Sequence, residues 1–407
     1  VKVLTAATAK FAADPMAPDI LFDLGKNLFG LEKYADAIKP FTQVIQQHRN
    51  SEHVSDAMWY CSQCLHFAKK FTESNQLCVQ YLAAHAGNPK AADVGFLQAE
   101  NLYFLKEYAK AVPAYQKFIA ANTTHSQVNI AKLRIGESHY EQQKWTEALK
   151  VLEPLAASKN TDPNFDRIDW MVADCHFQTE AWDQAITFFN KFASEKPKET
   201  NTDTALMKSA LASEKKGDPK TAIATFEKLS NGANYQKSIY LPNALAAIGR
   251  LQYDAKAFPA ARAALQKVIL NHADSLMKIR ANYYLGLVAL AEKKPDEAAK
   301  QFGLAANSNT KHDLAPNARL RQGLVLMGQG KSFEAQGAFQ KFVADYPAHV
   351  QIDKVIYNLG KAMKEQKQWD LALTQFSKLA AMTKSELRDR ALYQSAWAEK
   401  MAGRPAK

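Results

Sequence analysis

Residues 136–155 read GESHYEQQKWTEALKVLEPL, and their spacing decides the fold. Trp145 has a small residue nine positions before it, Gly136, and an alanine three positions after it, Ala148. Bulky Leu152 and Leu155 follow at seven and ten. Positions three, seven and ten share one face at 3.6 residues per turn, so Trp145 opens an amphipathic helix. A second helix precedes it, and Gly136 lets the two axes approach where a bulky side chain would hold them apart. Between them Gln143-Lys144 is a short polar turn, suited to an antiparallel helix pair.

The same arrangement runs through the whole chain. Its anchors are Tyr34, Phe71, Tyr108, Trp145, Trp182, Pro219, Phe258, Pro295, Ser332 and Trp369, 37 residues apart except for 39 between Pro219 and Phe258. Nine residues before each anchor stands glycine, alanine or serine; three after it stands alanine, or serine at Ser74. Seven after it the residues are Phe41, Cys78, Tyr115, Leu152, Phe189, Phe226, Leu265, Phe302, Phe339 and Phe376. A period of this length marks stacked helical hairpins, each burying its apolar side on its neighbours. The expected fold class is all-α: a solenoid of antiparallel helix pairs. Segments such as Asn88-Pro89, Asp162-Pro163 and Tyr346-Pro347 break one pair from the next. Pro219, Pro295 and Ser332 replace the aromatic anchor and Ser74 the alanine, which predicts looser packing in those repeats.

This pattern resembles the tetratricopeptide repeat superfamily over residues 19–382, with a period of 37 in place of the usual 34, and the resemblance implies that the solenoid is a right-handed superhelix. Phe339-Gln-Lys-Phe342-Val-Ala-Asp-Tyr346-Pro347, followed by Tyr357-Asn-Leu-Gly360, is similar to the bacterial cell-envelope branch, which includes the Tol-Pal coordinator and outer-membrane assembly lipoproteins. That likeness implies a periplasmic or other extracytoplasmic bacterial compartment; the alternative is cytoplasmic. Residues 1–18 read as the second helix of a preceding repeat, 19–229 as six repeats, 230–384 as four, and 385–407 as an unpaired helix and tail. The chain starts at Val1, as a processed or trimmed piece would. Thr204–Leu229 and the longer linker Ser230–Pro242 predict a change in curvature, unless the two extra residues are absorbed locally.

Hydrophobic residues make 47% of the chain and charged residues 23%, a folding rather than a disordered composition. The longest apolar run, Tyr283 to Ala291, is too short to span a bilayer, so no transmembrane segment is expected in this fragment. The net charge of +11 is uneven: residues 1–200 carry 21 Lys+Arg against 23 Asp+Glu, and residues 201–407 carry 31 against 18. An anionic polymer or surface is therefore a candidate partner of residues 201–407, against the plainer reading of lysines dispersed to water.

The resemblance implies that the first helices line a concave side where partners bind. Twelve and five residues before the anchors, the N-terminal repeats present Phe22, Phe29, Trp59, His66, Phe96, Tyr103, Tyr140, Trp170 and Phe177, with Glu100, Glu137 and Asp174 between them. Aromatic rings offer large contact area at low entropy cost, and carboxylates among them suit a basic or amine-bearing peptide. The competing reading is that the rings are packing.

Catalytic and metal signals are weak. Cys61-Ser-Gln-Cys64 lies inside a first helix, away from the helix start that would lower a thiol pKa. Gly330-Lys331-Ser332 lacks the first glycine of a phosphate loop, since position 325 is Val325. The expectation is a protein-binding scaffold without enzymatic activity, cofactor, metal or small-molecule substrate, holding protein or peptide partners in an aromatic groove. The rivals are a polyanion binder acting through nucleic acid, acidic polysaccharide or anionic membrane, and a self-associating structural repeat protein.

Overall fold

In a computed structural model the chain is described over residues 1–11, 13–158, 162–198, 200–272 and 274–404. Those residues hold α-helices and two short 3-10 turns, without a strand. They divide into two compact units, Val1–Phe192 and Ala193–Lys407.

The first unit starts with α1 (Lys2–Lys10). Hairpins follow: α2 (Ala17–Gly30) with α3 (Tyr34–Gln47), α4 (Val54–Phe67) with α5 (Phe71–Ala84), and α6 (Ala91–Phe104) with α7 (Tyr108–Ala121). Then come α8 (Val128–Glu141) with α9 (Trp145–Ala157), and α10 (Ile168–Gln178) with α11 (Trp182–Glu195). The second unit pairs α12 (Thr202–Lys216) with α13 (Pro219–Asn231), α14 (Leu241–Asp254) with α15 (Phe258–Asn271), and α16 (Met277–Ala291) with α17 (Pro295–Ser308). After them stand α18 (Leu314–Gly328) with α19 (Ser332–Asp345), α20 (Ile352–Glu365) with α21 (Trp369–Ala380), and α22 (Arg388–Met401). Every anchor residue is the first residue of a second helix. Each unit is a stack of hairpins in which the sequence period and the helix starts coincide.

The core follows from the same positions. All ten residues three past the anchor and all ten seven past it are 0% exposed. The ring or leucine at the second position fills the gap that the small residue of the first helix leaves. A Cβ on Gly25 would lie 2.5 Å from the Phe41 ring, on Gly286 2.7 Å from Phe302, and on Gly360 2.6 Å from Phe376. These are contacts no side chain could make without moving the ring. A fully buried phenylalanine contributes about 2–3 kcal/mol of apolar burial, so the register is repeated at each step with real force.

The hairpin turns are equally regular. Two residues before the anchor the backbone is left-handed: eight non-glycine residues, among them Lys106, Gln143 and Lys293, have φ between 57° and 60°. Gly217 and Gly330 hold the same place at 85° and 74°. Around Lys106 the hydrogen bonds are Lys106 N–H to Tyr103 C=O and Glu107 N–H to Leu102 C=O, both 2.9 Å, the paired bonds of a Schellman cap. Each non-glycine residue accepts about 1 kcal/mol of left-handed strain there.

The expected looseness at the irregular anchors is not found. Pro295 sits in the first turn of α17, where its fixed φ suits a helix start and its missing N–H is not needed. Below it Ala298, Phe302 and Ala305 are fully buried. At Pro219 the turn is capped by Asp218, which accepts from Thr221 N at 3.1 Å and Thr221 Oγ1 at 2.6 Å. Ser74 is fully buried, and its hydroxyl donates to Ser62 C=O at 2.7 Å while accepting from Asn101 Nδ2 at 2.8 Å. A polar contact replaces what an alanine methyl does elsewhere. The longer linker contains a 3-10 turn, Ala233–Tyr235, tied down by Ser238 Oγ to Asp203 at 2.6 Å.

Candidate functional site

The aromatic positions of the first helices have two distinct duties. Five before the anchor, each ring leans edge-on against the anchor of its own hairpin. Phe29 meets Tyr34 at 5.5 Å between centroids, His66 meets Phe71 at 5.3 Å, and Tyr103 meets Tyr108 at 5.7 Å. Further along, Tyr140 meets Trp145 at 5.3 Å and Phe177 meets Trp182 at 5.5 Å. Twelve before the anchor, the ring covers the core ring seven past it: Phe22 on Phe41 at 5.9 Å, Phe96 on Tyr115 at 6.0 Å, Trp170 on Phe189 at 5.4 Å. One edge of each stripe is thus packing. Phe22 is buried outright, while Phe29, Trp59, His66, Phe96, Tyr103, Tyr140, Trp170 and Phe177 are half-buried.

Four of these twelve sequence candidates come together. Trp59 and His66 of α4 and Phe96 and Glu100 of α6 line a cleft of about 360 Å³, with Gln63 and Asp93. Lys90, just ahead of α6, stands 4.6 Å from the Trp59 ring centre and pairs with Asp56 at 2.7 Å, so the indole face at that rim already carries a cation. His66 Nδ1 is 2.8 Å from Asn101 Oδ1, which fixes the imidazole in the cleft wall. The other candidates lie along the same series of helices but outside this cleft.

The carboxylates stand apart from the expectation of open acceptors. Glu100 and Glu137 are buried, and Arg134 bridges them: Nε to Glu100 at 3.1 Å and Nη1 to Glu137 at 2.7 Å. The Tyr115 hydroxyl donates to Glu100 and the Tyr103 hydroxyl to Glu137, the latter at 3.0 Å. Arg134 also lies 4.9 Å from the Tyr103 ring centre. Burial works against the guanidinium charge, but the two carboxylates hold it above its ordinary range. Burial first, then the Glu137 charge, lifts the Tyr103 hydroxyl, so it stays protonated and donating. Asp174, also buried, accepts from Tyr140 at 2.6 Å. These acids link one repeat to the next, leaving Asp93 and the rim of Glu100 as the acidic lining of the cleft.

Arg134 was not singled out from sequence, and Tyr115 was read there only as a core position. Arg134 sits three residues before Glu137 and 34 after Glu100 in a chain of period 37, the one signal that would have paired it with both.

All four cysteines are free and buried. Burial raises the Cys61 thiol to about 11 and those of Cys64, Cys78 and Cys175 to about 12. They pack as small apolar side chains. Among the described residues no three His, Cys, Asp or Glu side chains are grouped to hold a metal ion. Among the described residues no helix is long and apolar enough to cross a membrane.

Matches to family models agree with the hairpin pattern. A family model described as a tetratricopeptide repeat-like domain matches residues 184–358. Two tetratricopeptide repeat models match 96–163 and 133–200, and 19–51 and 354–381. Among solved structures, the C-terminal part of a TPR repeat-containing protein from Cytophaga hutchinsonii is 15% identical, with TM-score 0.42 over 73% of this chain and 98% of that one. A tetratricopeptide repeat protein from Parabacteroides merdae is 14% identical, with TM-score 0.40 over 66% and 99%. Yeast Tom70 is 13% identical, with TM-score 0.36 over 95% and 96%. No curated protein sequence matches the chain.

Proposed function

We propose, from the support that the repeat models and the hairpin architecture give to membership of the tetratricopeptide repeat superfamily, that this chain is a non-catalytic protein-interaction scaffold. Proteins of this superfamily generally act in that way. In the first unit the partner, an extended peptide or an amphipathic helix, lies against α4 and α6 with a side chain seated between Trp59 and Phe96. The observation that carries this reading is the cleft itself. Its rings are braced from behind by Tyr115 and Phe118 and by Tyr60, yet remain half open to a ligand. Rigid, prebraced aromatics lose little entropy when they bind, which is how an open hairpin stack gains affinity from modest contacts. The finer reading, a place in a bacterial cell-envelope complex, is supported by the likeness of Phe339–Pro347 and Tyr357–Gly360 to that branch.

Random peptides displayed against the complete chain test the cleft. A class of binders is expected to bind the double variant Trp59→Ala/Phe96→Ala at least 30-fold more weakly, the loss of about 2 kcal/mol typical of a central aromatic anchor. Helix content should be unchanged by circular dichroism. A folded double variant that keeps every binder would remove the cleft from the account. For the compartment, proximity labelling around the native protein should return envelope proteins; exclusively cytosolic neighbours would contradict it.

A further inference from the structure

Arg134 and Arg321 occupy the same place in the repeat, eleven residues before Trp145 and Ser332. Around Arg134, the residues eight before the anchor in its own repeat and in the preceding one are Glu137 and Glu100, and both bond its guanidinium. Around Arg321 the same two positions hold Leu324 and Leu287. The arginine is kept while both internal acceptors are gone. Its Nε is held by the Tyr283 hydroxyl at 2.9 Å, and its guanidinium carbon is 5.8 Å from that ring's centre. The side chain is otherwise exposed, and among the described residues no carboxylate pairs with it.

Arg280 adds a second cation on the same face. It stands seven residues, two helical turns, before Leu287 on α16, so the two share one face of the helix, and it is half-buried. Arg250 is already committed to Glu214 at 2.6 Å and Asp254 at 3.4 Å; Arg280 has no such partner among the described residues. Towards the helix ends the face becomes apolar with Leu287, Leu290, Leu324 and Met327, of which Leu290 is 36% and Leu324 43% exposed. At fifteen, twelve, eleven, eight and five residues before Pro295 and Ser332, α16 and α18 present no acidic residue.

We propose that this face of α16 and α18 binds an acidic amphipathic segment of a protein partner, whose carboxylates pair with Arg321 and Arg280 while its apolar side chains cover Leu287, Leu290 and Leu324. A guanidinium held by one nitrogen presents its remaining N–H groups as a fixed fork that matches a carboxylate. Nucleic acid is a poorer fit. It binds through many cations strung along its backbone, and here two arginines adjoin leucines that a sugar-phosphate chain would leave unused. The proposal rests on the scaffold reading but places a second, chemically different surface in the second unit.

The same peptide display, run in parallel on the complete wild-type chain, Arg321→Glu, Arg280→Glu/Arg321→Glu and Trp59→Ala/Phe96→Ala, tests it. The expected result is a class of peptides with Asp or Glu at one end and Leu, Ile or Phe over the next two turns. Their binding should fall about tenfold on Arg321→Glu and about 100-fold on the double arginine variant, and stay unchanged on Trp59→Ala/Phe96→Ala. Arg321→Gln, which removes charge with little change of shape, should lose roughly tenfold with unaltered circular dichroism. A 20-nucleotide single-stranded DNA and phosphatidylglycerol vesicles complete the panel. The proposal is overturned if no acidic, apolar class is lost on the arginine variants, or if DNA or vesicle binding is what they lose. Failure confined to the Trp59→Ala/Phe96→Ala arm removes the first-unit cleft and leaves this face standing.

Discussion

Replacing Arg134 with methionine is expected to lower the unfolding free energy by about 3 kcal/mol, although methionine fills much the same space. The reason lies in what remains. Glu100 and Glu137, both 8% exposed, would keep their tyrosine donors but lose the cation that bridges them. Two like charges would then face each other in a poorly solvated setting. The triple variant Arg134→Met/Glu100→Leu/Glu137→Leu should regain most of the loss, because apolar side chains of similar volume commonly replace a buried ion cluster without cost. The second unit already carries that solution to half its extent, with Leu287 and Leu324 in the carboxylate positions. Urea unfolding of the single and triple variants checks this. Equal destabilisation in both would mean that Arg134 acts by its bulk rather than its charge.

Gly323 gives the second large effect. Substitution by leucine is expected to cost about 3 kcal/mol or more, because a Cβ there already falls against the ring of Phe339. That ring is 0% exposed and enclosed by Ala335, Phe342, Val355 and Leu359, so it has nowhere to move. Gly95 of α6 supplies the contrast. A Cβ there meets nothing within 4 Å, so Gly95→Ala should stabilise the chain by about 0.5–1 kcal/mol through helix propensity alone. Thermal unfolding of the two variants should shift in opposite directions. A destabilised Gly95→Ala, or a neutral Gly323→Leu, would break the link between the small position and the ring.

The fold was legible because hairpin packing is a one-dimensional code. Small, anchor, alanine and ring positions recur at fixed offsets, and a contact made once must be made at every step. What the code omits is polar satisfaction. The sequence reading left Glu100, Glu137 and Asp174 available to a basic partner, because nothing in hydrophobic spacing says that Arg134, Tyr103, Tyr115 and Tyr140 point at them. Ser74 was read as a weak point for the same reason, since its hydrogen bonds run to Ser62 and Asn101, 12 and 27 residues away. Pro295 and Pro219 were read as lost anchors when they are good helix starts. The Trp59–Phe96 cleft was half legible: the sequence placed its rings on one stripe, but only coordinates separate the edges that pack from the edges left open.

Hydrogen exchange followed by mass spectrometry on the complete chain tests the central claim most directly. The account predicts protection that rises and falls with the 37-residue repeat. The slowest amides should flank the small, alanine and ring positions, as around Gly286, Ala298 and Phe302. The fastest should fall in the connecting segments and hairpin turns, as at Lys293 and Lys106. A single protected centre fading toward both ends, with no repeat-length modulation, would contradict it.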